Sequence, residues 1–92
     1  MTAKEKHKKS WLVYVLRCYD GSLYTGVTTD ILRRIKEHST CKGSRCLRGR
    51  LPVKLVYQES RRNRSSALKR EAEIKKFSRS EKLILISVKQ RL

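Results

Sequence analysis

The sequence predicts an α+β domain: a small three-stranded antiparallel sheet flanked by helices, in the order β-β-α-β-α-α. Three observations lead there. Two β-branched and aromatic runs flank Asp20-Gly21, a dipeptide that marks hairpin turns. A third such run follows Pro52. The segments between and after them carry helix-capping residues and apolar residues at helical spacing.

Trp11 to Cys18, WLVYVLRC, suits a strand, and Leu23 to Thr28, LYTGVT, suits its antiparallel partner. A helix begins after Thr29, with Thr29 or Asp30 as its N-cap, and ends near Ser39. Ile31, Leu32 and Ile35 form its apolar face. Thr40 to Arg50 contains Gly43, Gly49 and the basic residues Lys42, Arg45, Arg48 and Arg50, and reads as a basic loop. Val53 to Gln58 is the third strand. Ser65 and Ser66 precede a second helix over Ala67 to Phe77. Ser78-Arg79-Ser80-Glu81 matches a capping box. It opens a last helix from Arg79 to about Lys89, with Leu83, Ile84, Ile86 and Val88 on its apolar side.

The 92 residues suffice for one domain, placed at residues 11–92 behind a flexible basic tail, 1–10. No stretch approaches the roughly 18 uninterrupted apolar residues of a membrane span. The N-terminus lacks the apolar run and cleavage site of a signal peptide. A cytoplasmic monomer with no membrane contact is expected. The odd cysteine count, Cys18, Cys41 and Cys46, argues against a disulfide framework in that compartment. Cys41, Cys46 and His38 supply only three potential zinc ligands, whereas a structural zinc site is four-coordinate. Free thiols are expected.

Charge gives the first functional clue. Twenty-four Lys and Arg against 8 Asp and Glu leave a formal net charge of +16. Such an excess on a small surface attracts polyanions. Nucleic acid is the expected partner, although charge does not say whether it is cut.

Among titratable residues, Glu71 stands out. Ala67, Glu71 and Ile74 share one helical face at i, i+4 and i+7, which sets a carboxylate in the stripe that faces the sheet. A lone buried carboxylate is costly unless paired or bound to metal. An edge residue paired with a nearby Lys or Arg is the alternative. Arg34 lies one turn before His38 on the same helix face, and its guanidinium could hold a phosphate in a bidentate contact. From residue type alone, Arg33 serves equally well. Tyr14 and Tyr24 pose a question of register. A two-residue Asp20-Gly21 turn puts them on opposite faces of the sheet. A three-residue Tyr19-Asp20-Gly21 loop, with left-handed Gly21, pairs Cys18 with Ser22, Leu16 with Tyr24 and Tyr14 with Gly26, and puts both on one face. Both rings could also be core β-formers.

Leu12-Val13-Tyr14 followed by Leu23-Tyr24-Thr25-Gly26 resembles the GIY and YIG elements of the GIY-YIG nuclease superfamily, with ten residues from one tyrosine to the next. Thr28 to His38, TTDILRRIKEH, resembles that family's first-helix motif, and Glu73 to Lys82 resembles the end of its small stand-alone members. The likeness runs from Trp11 to Ile86. It implies that Arg34, ten residues after the second tyrosine, is the catalytic arginine, and that Glu71, in an A-x-x-x-E pattern, is the metal ligand. His38 matches a histidine that some restriction-enzyme members use. Departures are Val27, where some members have Lys, and the stretch Lys82 to Leu85, where excision-repair members have Asn.

The resemblance implies a DNA endonuclease that hydrolyses phosphodiester bonds with one Mg²⁺ or Mn²⁺ ion on Glu71. Arg34 would stabilise phosphate charge, Tyr14 would be the general base and Tyr24 its hydrogen-bonding aid. Lys42, Arg45, Arg48, Arg50, Arg61, Arg62 and Arg64 would bind the DNA backbone, and His38 or Lys75 would supply a cation near the tyrosines. With no separate recognition domain, preference for DNA structure, as in repair, or a protein partner that supplies specificity is expected. Two alternatives are a nucleic-acid-binding module of the same fold with little or no cleavage, and a basic protein-interaction or ribosome-associated domain.

Overall fold

A computed structural model describes residues 10–39 and 53–90, without the side chains at 38, 39, 89 and 90. The elements are β1 Trp11–Arg17, β2 Leu23–Thr28, α1 Ile31–Ser39, β3 Lys54–Arg61, α2 Arg64–Lys75 and α3 Arg79–Gln90. This is the predicted α+β order, with one antiparallel sheet arranged β2-β1-β3. The anticipated tail and basic loop, with Cys41 and Cys46, lie outside the described residues apart from Ser10. Cys18 is a buried free thiol.

The hairpin takes the three-residue form. Gly21 has φ +87°, a value open to glycine because it has no Cβ. Its N–H donates to the Cys18 carbonyl at 2.9 Å, and the Cys18 N–H donates to Ser22 at 2.9 Å. Asp20 steadies the turn by accepting from the Ser22 N–H at 3.0 Å. Leu16 therefore pairs with Tyr24, and Tyr14 with Gly26.

Alternation along β1, the central strand, divides the interior in two. Val13 and Val15 join Val56, Tyr57, Ala67, Ile74 and Ile86 in the main core, with α2 and α3 on that side. Tyr14 and Leu16 point the other way and are also fully buried. In β3 the register slips: Tyr57 faces Val15 and Leu55 faces Leu16. Val56 is thus an extra residue, and both it and Tyr57 enter the core.

The helix starts follow from caps. Asp30 accepts from the Arg33 N–H at 3.1 Å and opens α1. Ser78 and Glu81 exchange hydrogen bonds of 2.7 and 3.2 Å, the anticipated capping box of α3. The two largest boundary differences from the sequence reading are the end of β3 and the start of α2. β3 runs on to Arg61 because it pairs with β1 as far as Trp11. α2 starts at Arg64 because Asn63 is its N-cap, accepting from the Ser66 N–H at 2.8 Å. Among the described residues, no helix is long and apolar enough to cross a membrane.

Thr25, opposite Val15 on the core side, is 5% exposed, and its hydroxyl has no partner among the described residues. An unpaired buried hydroxyl costs stability that an apolar group of similar shape does not. Thr25→Val should therefore raise unfolding free energy by about 1 kcal/mol in urea denaturation.

Candidate active site

Side chains from four elements come close to Tyr14. β1 supplies Tyr14 and β2 supplies Tyr24, diagonal neighbours in the observed register. Their ring centroids lie 6.4 Å apart, with the planes tilted by 40°. Gly26, opposite Tyr14, has a second role beyond strand pairing. A Cβ placed on it would lie 2.5 Å from the Tyr14 hydroxyl oxygen and 2.7 Å from Cζ. The tyrosine ring thus passes over bare backbone, where no larger residue fits.

α1 supplies Arg34, and the ambiguity between the two arginines is resolved by helix phase. The Arg33 side chain is 56% exposed and pairs with Asp30 and Glu37 at the surface. Arg34 turns inward and donates to the Tyr14 hydroxyl. Its Nη1 also donates to Glu37 at 3.0 Å. Its Nε is buried and has no acceptor among the described residues. The guanidinium is thus held by a phenol and a carboxylate, and its Nε–H stays available to an acceptor. Glu37 did not figure among the expected site residues, although its i+3 spacing from Arg34 carries the signal.

α2 supplies Glu71, whose neighbours Ala67 and Ile74 are both fully buried. The Glu71 side chain is only 18% exposed and lies near enough for its charge to act on Tyr14. Its partner is Lys75, one turn on, at 3.1 Å, with the lysine side chain 56% exposed. An i,i+4 helix pair of this kind contributes about 0.3–0.5 kcal/mol.

The electrostatics of Tyr14 follow from this setting. Burial pushes its phenol above the ordinary value, and the charges of Tyr24 and Glu71 push the same way. The Arg34 hydrogen bond opposes them without cancelling the rise. Tyr14 is therefore a neutral phenol at neutral pH. Arg34 is held charged by Glu37 and then by Tyr14, against the cost of burial. Glu37 falls below the usual carboxylate range, chiefly through Arg34.

The His38 side chain, Lys42, Arg45, Arg48 and Arg50 lie outside the described residues. Arg62 and Arg64 are exposed at the start of α2. Arg61 and Arg62, with Ser60 and Ser66, line an open groove of about 420 Å³. Arg61 itself is engaged by Glu59 at 3.1 Å and donates to Ser66 at 3.1 Å.

Comparison with known proteins agrees with the fold and with the sequence resemblance. Residues 10–83 match the family model described as the GIY-YIG catalytic domain. The UPF0213 protein DP2720 of Desulfotalea psychrophila is 49% identical over 88 residues, covering 95% of this chain and 80% of that one. The UPF0213 protein SSP2268 of Staphylococcus saprophyticus is 53% identical over 75 residues, covering 82% and 92%. Two solution structures are also similar. One is the protein EF2693 from E. faecalis, with TM-score 0.64, 38% identity and 92% and 91% coverage. The other is the UPF0213 protein BH0048 from Bacillus halodurans, with TM-score 0.58, 45% identity and 87% and 85% coverage.

Two outcomes test the geometry without reference to activity. Gly26→Ala should displace the Tyr14 ring and destabilise the fold by about 1–3 kcal/mol, the usual cost of overpacking, read by chemical denaturation. Removing the nearby negative charge with Glu71→Gln should lower the ionisation midpoint of Tyr14, followed by NMR of ¹³Cζ-labelled tyrosine. An unchanged midpoint would mean that Glu71 does not face Tyr14.

Proposed function

Because the chain belongs to the GIY-YIG catalytic domain family, whose fold is a nuclease fold, we propose that it is a metal-dependent DNA endonuclease. The observation that carries this reading is the convergence of Tyr14, Tyr24, Arg34 and Glu71, from four elements, around the unsatisfied Arg34 Nε. A buried guanidinium donor lacking an acceptor suits a phosphate oxygen.

The donor chemistry fits one hard cation. Among the described residues, no group of three or more His, Cys, Asp or Glu side chains is placed to hold a metal. Glu71 is therefore a single oxygen ligand beside a phosphate seat. That suits Mg²⁺ or Mn²⁺, since Mg²⁺ binds through one or two carboxylates with waters and substrate phosphates. Zinc would need more protein ligands. When bound, the cation would polarise the scissile phosphate and offset its developing charge.

The chain's own residues do the rest. Arg34, kept charged and oriented by Glu37, binds a non-bridging oxygen of the phosphate. Once ionised, Tyr14 accepts the proton of the attacking water, whose oxygen forms the new P–O bond as the bond to the leaving 3′ or 5′ oxygen breaks. A cation held by Glu71 would offset that carboxylate's charge, one of the causes that raise Tyr14. Tyr24 hydrogen-bonds at the same face. Arg62, Arg64 and Lys75, with Lys42, Arg45, Arg48 and Arg50, contact the DNA backbone, and His38 supplies a further cation for the reaction. Such contacts favour DNA structure over sequence.

One observation favours a second reading. Burial leaves Tyr14 neutral, so a nucleic-acid-binding module with little or no cleavage keeps its claim. Branched and nicked DNA incubated with Mg²⁺ separates the two. The wild type should cut, and Glu71→Ala and Arg34→Ala should each lose about 100-fold or more, the scale for removing one preorganised electrostatic group. Binding that persists in all three proteins without cutting would establish the module instead, and equal cutting by all three would mark a contaminant.

A further inference from the structure

On the main-core side of the sheet, Glu59 gathers three donors. Its side chain is 16% exposed. It accepts from the Tyr57 hydroxyl, from Arg61 Nη1 at 3.1 Å and from Arg70 Nε at 3.2 Å. Arg70 also donates to Glu73 at 3.0 Å, and its guanidinium lies 5.9 Å from the Phe77 ring centroid. Arg61 carries the same network to the first turn of α2 through Ser66. None of these residues touches the reacting phosphate in the reading above.

The network joins β3 to α2 at two points, Ser66 and Arg70, and Arg70 immediately precedes Glu71. Successive residues of an α-helix project about 100° apart. With Arg70 tied to β3, Glu71 is turned toward the tyrosines. Apolar packing gives this helix little rotational definition, since only Ala67 and Ile74 are fully buried along its twelve residues. A small side chain and a single isoleucine set its distance from the sheet more firmly than its azimuth. A satisfied polar network has the directionality to set the azimuth.

We propose that Glu59 is a positioning residue: by holding Arg70 and Arg61 it fixes the rotation of α2 and aims Glu71 at the metal and phosphate seat. The inference rests on the nuclease reading and adds to it a residue on the opposite side of the sheet from Tyr14.

The test uses the whole chain, ¹⁵N-labelled and titrated with Mn²⁺, whose paramagnetic broadening reports binding at Glu71. Glu59→Gln should weaken Mn²⁺ binding by about 10-fold or more, the scale seen when a partner of a metal ligand is lost. The single-turnover cleavage rate should fall by a similar factor at saturating DNA, with DNA affinity within about twofold, because the contacts to the backbone are untouched. In a Glu71→Gln background, Glu59→Gln should add no further loss, since residues acting through one another are not additive. Arg70→Lys, which keeps the charge and loses the fork, should repeat the effect even if Glu59→Gln folds poorly. Ile86→Val, a core change on α3, controls for lost stability. Equal Mn²⁺ affinity and rate in wild type and both network variants would overturn the positioning role. So would losses no greater than those of Ile86→Val at a matched drop in melting temperature. Absence of broadening near Glu71 in the wild type would overturn the nuclease reading and the positioning role with it.

Discussion

Tyr14 lies over Gly26, and the rest of the candidate site is arranged around that contact. The ring sits on the central strand, so its position is set from both sides by backbone pairing. Its hydroxyl passes the one position in β2 with no side chain to obstruct it. Only there can it meet Arg34 from α1 and feel the charge of Glu71 from α2. The contact depends in turn on the hairpin loop. A loop shorter by one residue would turn Tyr24 and Gly26 to the other face, and Tyr14 would lose both neighbours.

The same setting creates the chemical tension of the site. A buried phenol resists ionisation, and a carboxylate close by adds to that resistance. Arg34 works against both without prevailing. The site is therefore poised to respond to whatever neutralises Glu71. Lys75 already touches that carboxylate, but with its own side chain more than half exposed it holds it only weakly.

Carboxylates are scarce in a chain with 24 basic residues and 8 acidic ones, and their placement is informative. Glu37 holds Arg33 and Arg34, Glu59 holds Arg61 and Arg70, and Glu73 adds to Arg70. Each of these arginines would otherwise project into solvent as a long, mobile cation. The Glu59–Arg70 pair ties β3 to α2, while the other pairs each lie within one helix or strand. Arg62 and Arg64 have no acidic partner among the described residues and lie exposed at the surface. Two kinds of basic residue thus coexist, one that builds the domain and one that gives it its charge.

The elements and much of the site were legible because their causes are local. The Ser78–Glu81 capping box lies within four consecutive residues. The strand runs, the spacing of the two tyrosines and the helical phase of Glu71 are likewise visible in short windows of sequence. The Asn63 cap was missed because Ser65 and Ser66 compete with it as capping residues, and only the hydrogen bond to Ser66 decides among them. The end of β3 was missed because Arg61 pairs with Trp11, fifty residues earlier. By itself, then, the sequence determined the fold class, the order of elements and the short set of residues with suitable chemistry. Tertiary structure alone decided the hairpin register, the contact of Arg34 with Tyr14 while Arg33 stays at the surface, the close approach of Tyr14 to Gly26 and the Glu59 network. Each of these depends on which groups from distant parts of the chain come within hydrogen-bonding or contact distance, and that is set by packing rather than by local sequence.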